Sequence, residues 1–182
     1  MRACLKWSPR KAAFRYPIPP APRTAVLVPG FRPGAGVRVF AEGWSEAAAK
    51  FAPQAIAATL AQLEAIAATG ISVSHAIVVL GKWEDARLSE TDREMLWTRF
   101  RVPVFEQIVD GNGTLLAAEC EAHCGLHIAT ETMSPETPRA RRGETDRIDE
   151  SACACGRKTA RLISREEAAR EEAMRSIATY AR

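Results

Sequence analysis

Two short cysteine clusters, widely separated along the chain, constrain this sequence more than any other feature. The first is Cys120-Glu121-Ala122-His123-Cys124 and the second Cys153-Ala154-Cys155-Gly156, while a fifth cysteine, Cys4, stands alone near the N-terminus. In a reducing compartment such pairs read as metal ligands before they read as disulfides. Zinc takes four ligands in a tetrahedron, and each short spacing lets one turn offer two of them. Cys120, His123, Cys153 and Cys155 make the simplest Cys₃His set for a structural zinc. Cys124 could replace His123 to give Cys₄, and His127 lies four residues beyond it. Gly156 suits such a turn, because loops around a metal commonly need positive φ. Any fold for this chain must therefore bring the two segments to one point.

The rest of the composition excludes classes rather than choosing a function. With 182 residues the chain is long enough to bury one core without staples. No apolar stretch approaches the roughly 20 residues that cross a bilayer, and no secretory signal opens the chain, so no membrane association and a cytoplasmic location are expected. A net charge of +3 is too mild to imply nucleic-acid binding. The charge is unevenly placed: Arg2, Lys6, Arg10, Lys11, Arg15 and Arg23 fall in residues 1–24 with no acid among them. Pro9, Pro17, Pro19, Pro20 and Pro22 share that stretch, so it reads as a flexible, extended basic arm.

Beyond the arm, residues 25–28 and 37–41 read as short strands around a Gly/Pro-rich turn. A helical pattern begins at Glu46, is interrupted by Pro53, and resumes with Ile56, Leu60, Leu63 and Ile66 on one face, closed by Gly70. Residues 76–80 form a buried apolar run, Ser89 with Asp92 starts a second helix, and residues 102–109 read as the next strand. This order predicts a partial parallel-sheet α/β unit. Asp110-Gly111-Asn112-Gly113 is a turn signal, leading to a small β meander over residues 114–120 and about 126–129 that carries the zinc-binding loop pair. Residues 131–150 read as a polar loop. Ser164 and Glu167 open a C-terminal helix over residues 164–182, lined by Ala169, Ala173, Ile177 and Tyr180.

No hydrolase motif surrounds the histidines. His75 reads as a structural residue, and Cys124 with His127 is a weak match to a catalytic pair. Lys82, Glu84 and Asp85 fall at the carboxyl end of the 76–80 strand, the place where α/β sheets bind ligands.

Taken together, residues 53–163 resemble the phenylacetate–coenzyme A ligase family of adenylate-forming enzymes. Leu80-Gly81-Lys82-Trp83-Glu84, Leu88-Ser89 and Phe100-Arg101-Val102-Pro103-Val104-Phe105-Glu106 follow the order of that family's Gly-Gly-Glu-Pro-Leu loop and Phe-Gly-Val-Pro-Val segment. Cys120 to Ile128 resembles its Cys-Glu-x-His-Asp/Asn-Gly-x-His-Val/Ile, and Cys153 to Arg157 its Cys-Pro-Cys-Gly-Arg. Arg139 to Asp149 resembles Arg-Tyr-Arg-Thr-Gly-Asp-x-x-x-Ile-Asp, which implies cofactor-binding roles for Arg142 and for Glu144, the latter standing where the family's ribose-binding Asp would be.

The departures bear on activity. The family's Ser/Thr/Gly-rich phosphate loop and lysine-bearing C-terminal domain have no counterpart here, and its Tyr-Gly-x-Thr-Glu motif is replaced around residues 107–113. Adenylyl transfer depends on positioned charge around the phosphates and metal. The expectation is thus a truncated, zinc-binding, noncatalytic binding or assembly protein, with ATP and coenzyme A doubtful as cofactors. The rival is one component of a split ATP-dependent acyl- or aryl-CoA ligase completed by a partner chain. The resemblance also implies an incompletely covered sheet and helix face, hence a partner that is either a second copy or a larger ligase-like chain.

Overall fold

The computed structural model of the chain describes residues 11–129, 146–164 and 167–169. In chain order the elements are β1 (Ala12–Ala13), β2 (Thr24–Val26), β3 (Phe31–Arg32), β4 (Val37–Val39), α1 (Glu46–Phe51), β5 (Ala55–Ala58), α2 (Leu60–Ala67), β6 (Ala76–Gly81), α3 (Glu90–Phe100), β7 (Val104–Val109), β8 (Leu115–Glu119), β9 (Leu126–Ile128), β10 (Asp146–Asp149) and β11 (Arg161–Ser164). Nine strands build one mixed sheet in the order β10-β11-β9-β8-β7-β6-β5-β2-β4. The half from β4 to β7 is parallel and the half from β7 to β10 antiparallel. An α/β unit followed by a meander is what the sequence predicts, and the protein has that class. No helix among the described residues is long and apolar enough to cross a membrane.

Local chemistry fixes the helices. Ser45 and Ser89 accept hydrogen bonds from the N–H groups of Ala48 and Asp92, and Thr59 forms a reciprocal capping box with Gln62. α1 stops at Phe51 because Ala52 turns left-handed and Pro53 follows. Ser164 and Glu167 exchange the bonds of another capping box, and residues 167–169 are helical; the remainder of the expected C-terminal helix lies outside the described residues.

Two expectations are corrected here. Ile56 belongs to β5, not to the helix whose face it was expected to share. Ala55–Ala58 is wholly buried between β2 and β6, where pairing on both sides outweighs alanine's helical preference. The polar 131–150 stretch ends in β10, which pairs antiparallel with β11, a strand that the sequence reading did not anticipate.

The helices occupy one face of the sheet. Leu63 and Ile66 of α2 and Leu96 and Phe100 of α3 pack there with Ala25, Ile56, Ile77, Val79 and Val104. The opposite face is covered by the segment expected to be a free arm. Phe14 packs edge-on against Phe31 at 5.7 Å and joins Val26, Ala57, Val78, Leu80 and Val109 in a second core. β1 pairs with β3, and the Arg15 carbonyl accepts from the Gln107 amide at 2.9 Å. The segment bends at residues 17–20, where the Pro19–Pro20 peptide is cis, rather than running extended throughout, and Phe14 and the half-buried Tyr16 make it a cover for the sheet. The boundary drawn between residues 24 and 25 therefore does not separate an arm from a body over residues 11–24; residues 1–10 lie outside the described set.

Candidate metal centre

Strand registry assembles the candidate site. Leu80, Gln107, Ala118, His127 and Arg161 stand in one row across β6, β7, β8, β9 and β11, on the face that residues 11–17 cover. Cys120, two residues beyond Ala118, returns to that same face by the period-two alternation of a strand. Leu126 and Ile128 point the other way, into a core with Ile108, Ala117 and Leu162. The loop between β10 and β11 then brings Cys153 and Cys155 over the row.

The result is a compact donor set. One ligand atom each from Cys120, His127, Cys153 and Cys155 lies within 4.8 Å of all the others, and these four residues could hold a metal ion. Cys120 Sγ is 3.7 Å from Cys153 Sγ, and Cys155 Sγ is 3.4 Å from His127 Nε2. Cys120, Cys153 and His127 are buried and Cys155 is half-buried.

The three expected cysteines are thus brought together, and the histidine that joins them in the cluster is His127 rather than the expected His123. His123 occupies the turn after β8 with φ of +49°, its ring stacks on Phe105 at 4.8 Å, and its Nδ1 lies 3.3 Å from Glu119. Cys124 is not among the four clustered donors, and its thiol donates to the Ala122 carbonyl at 3.0 Å. Arg142 and Glu144 lie outside the described residues.

A second layer of contacts positions the candidate ligands. His127 Nδ1 is 2.8 Å from Thr159 Oγ1, which leaves Nε2 aimed at the sulfurs. Arg161 is almost fully buried, donates to the Cys124 carbonyl at 2.6 Å, and pairs with Asp149, which also accepts from the Ser151 hydroxyl at 2.8 Å. One guanidinium therefore joins both ligand-bearing loops. The turns themselves need glycine: Gly125 has φ of +89° with a backbone oxygen, Leu162 O, 2.6 Å from where a Cβ would stand, and Gly156 has φ of +82° in open space. Arg157 reaches the Pro17 carbonyl at 3.5 Å, so the covering N-terminal segment touches the second loop.

The titration behaviour suits a cation. Burial, reinforced by the Cys155 and Cys153 thiols, pushes the Cys120 thiol up to about 12. Burial also opposes ionisation of Cys153, but the Cys155 backbone N–H, the neighbouring thiols and the Arg161 charge outweigh it and lower this thiol. Burial, with the Arg157 and Arg161 charges, lowers His127 and so favours its neutral form. An imidazole whose neutral form is favoured, set beside clustered thiols, is the donor chemistry of a metal ligand set.

Other residues singled out in the sequence have local roles. The His75 N–H donates to the Gln54 carbonyl at 2.9 Å and its ring faces Tyr16 at 6.0 Å. Asp85 accepts from the Lys82 N–H at 2.7 Å, at a crevice of about 310 Å³ beyond the carboxyl ends of β5 and β6. None of the residues lining that crevice belongs to the cysteine cluster. Compared with models of known protein families and with curated proteins, the sequence matches none. The fold and site define a mixed α/β domain with a Cys₃His cluster that could hold a metal.

Proposed function

We propose that this chain holds one structural zinc ion through Cys120, His127, Cys153 and Cys155, and that it is a noncatalytic binding or assembly protein similar to the core of phenylacetate–coenzyme A ligases. The observation that carries the zinc reading is the spacing of the donors. Tetrahedral zinc with ordinary bond lengths sets sulfurs about 3.8 Å apart and a sulfur about 3.6 Å from a ligating nitrogen. The cluster has 3.7 Å and 3.4 Å. Four protein ligands fill a tetrahedron and leave no position for substrate, which is the pattern of a structural rather than a catalytic site. When bound, the ion would neutralise the thiolates and clip the 120–127 turn to the 153–155 loop.

The noncatalytic reading is supported where the sequence departs from the resembling family. In place of the adenine- and magnesium-holding motif, residues 110–113 form a closed turn. The Asp110 carboxylate there accepts from the N–H groups of Asn112 and Thr114 at 2.8 and 2.7 Å. The Asn112 carbonyl in turn accepts from Ala12 at 3.0 Å. One oxygen of this carboxylate, Oδ1, takes both of those bonds, and the turn is packed against the N-terminal segment.

Two assays separate the two halves of the proposal. Cys153→Ser should lose zinc together with cooperative unfolding, and a Cys153→Ser protein that keeps one equivalent of zinc would overturn the ligand set. Carboxylate-dependent pyrophosphate exchange should match a heat-treated control across a panel of aryl and acyl acids. Exchange clearly above that control would replace the noncatalytic reading with that of a split ligase component.

A further inference from the structure

We propose that the outer face of α3 is the surface through which two copies of this chain pair about a two-fold axis. Glu90, Glu94 and Trp97 recur at helical spacing and form one stripe, which Arg101, the left-handed residue that ends α3, continues by lying over Trp97; all four are exposed. Trp97 is 50% exposed and, with Ile148, is one of two large apolar side chains left open among the described residues. Beside it runs a groove of about 640 Å³ whose apolar lining is Val102, Pro103 and Val104. The Arg101 guanidinium lies over the indole, 5.0 Å from the ring centre, and closes the stripe at its C-terminal end.

The occupant is argued from charge. The stripe is acidic at its N-terminal end and basic at its C-terminal end, so it complements itself only when the partner runs antiparallel. An axis crossing between Trp97 and Thr98 sets Glu94 opposite the other copy's Arg101 and repeats that pair by symmetry. The same axis brings the two indoles to the centre, each over the other copy's Val102–Pro103 groove. That satisfies both notable features of the face, the open tryptophan and the apolar groove beside it. α3 is about 16 Å long, so the contact falls at or below the small end of specific interfaces, roughly 1,200 Å² in total, and pairing is expected at micromolar concentration or above. The proposal names a partner for the assembly role and rests on that reading only for its purpose. Metal content and pairing are measured separately, so either can fail alone.

Sedimentation velocity of the full chain, from micromolar to hundreds of micromolar, provides the test. The apparent mass should climb from 19.9 kDa toward twice that value. Glu94→Arg and Arg101→Glu should each weaken pairing roughly tenfold or more, because both symmetric pairs become like-charged. The double variant Glu94→Arg/Arg101→Glu should recover it, since both pairs re-form with the signs exchanged. Trp97→Ala should also weaken pairing while zinc content and far-ultraviolet dichroism stay unchanged, the side chain being at the surface. A monomer throughout the range would overturn the proposal. So would a dimer indifferent to Glu94→Arg, Arg101→Glu and Trp97→Ala, as expected of pairing through the β10 edge at Ile148. A double variant no better than the single ones would also overturn it.

Discussion

Replacing Arg93 by methionine tests how the half of the sheet that carries the Cys/His cluster is held against the helices. Arg93 reaches across from α3 and grips Glu119 with both terminal nitrogens, at 2.9 and 3.2 Å, while also donating to the Val104 carbonyl at 2.6 Å. Glu119 accepts from the Glu106 N–H at 2.7 Å, and its side chain is only 1% exposed. Burial works to raise this carboxyl, but the His123 hydrogen bond and the Arg93 charge outweigh it and hold it below the usual carboxylate range. Without Arg93 the carboxylate would stay buried next to Cys120 with a half-exposed histidine and one backbone N–H. Breaking a buried pair from one side costs about 3–5 kcal/mol. For a chain of this length that lowers the melting temperature by about 6–20 °C. Urea titration and thermal melts of zinc-loaded protein measure it directly. Arg93→Met/Glu119→Leu should regain most of the loss, because apolar replacement of both partners removes the stranded charge. An Arg93→Met protein within about 1 kcal/mol of the parent would show that solvent, not Arg93, satisfies Glu119.

Gly125→Ala should destabilise by about 3 kcal/mol, since it combines positive φ with a backbone clash; Gly156→Ala should cost about 1 kcal/mol, since only φ is unfavourable. Equal effects in paired denaturation curves would contradict the loop geometry. Burial opposes ionisation of Asp149, but bonds from Ser151 and Arg161 lower its titration below the usual range. A group depressed in the folded state stabilises above its unfolded value and ceases to do so as pH falls through its folded value. The stability gap between the parent and Asp149→Asn should therefore be full above about pH 4 and close below it. A gap that widens on acidification would refute the pairing with Arg161.

Much of this was legible in the sequence, and the misses have identifiable causes. The 76–80 and 102–109 strands and the Ser89 cap carry strong local signals, and all three features are present. Ile56 shares a helical spacing with Leu60, Leu63 and Ile66 by coincidence, yet Thr59-Leu60-Ala61-Gln62 is a capping-box pattern that could have started α2 at residue 60. The role of residues 11–17 depends on Phe14 meeting Phe31, a long-range contact without local signature. β10 is short and polar on an edge, so alternation gives no warning of it. The choice of histidine was decided by strand parity. Leu126 and Ile128 take the core face and send His127 to the Cys120 face, whereas the closer spacing of Cys120 to His123 only describes a turn.

The metal stoichiometry of the purified parent, measured beside His127→Gln and His123→Gln, tests the central claim most directly. About one zinc per chain is expected in the parent and in His123→Gln, and a marked loss in His127→Gln. Zinc retained by His127→Gln but lost from His123→Gln, or a cooperatively folded parent without metal, would contradict the account.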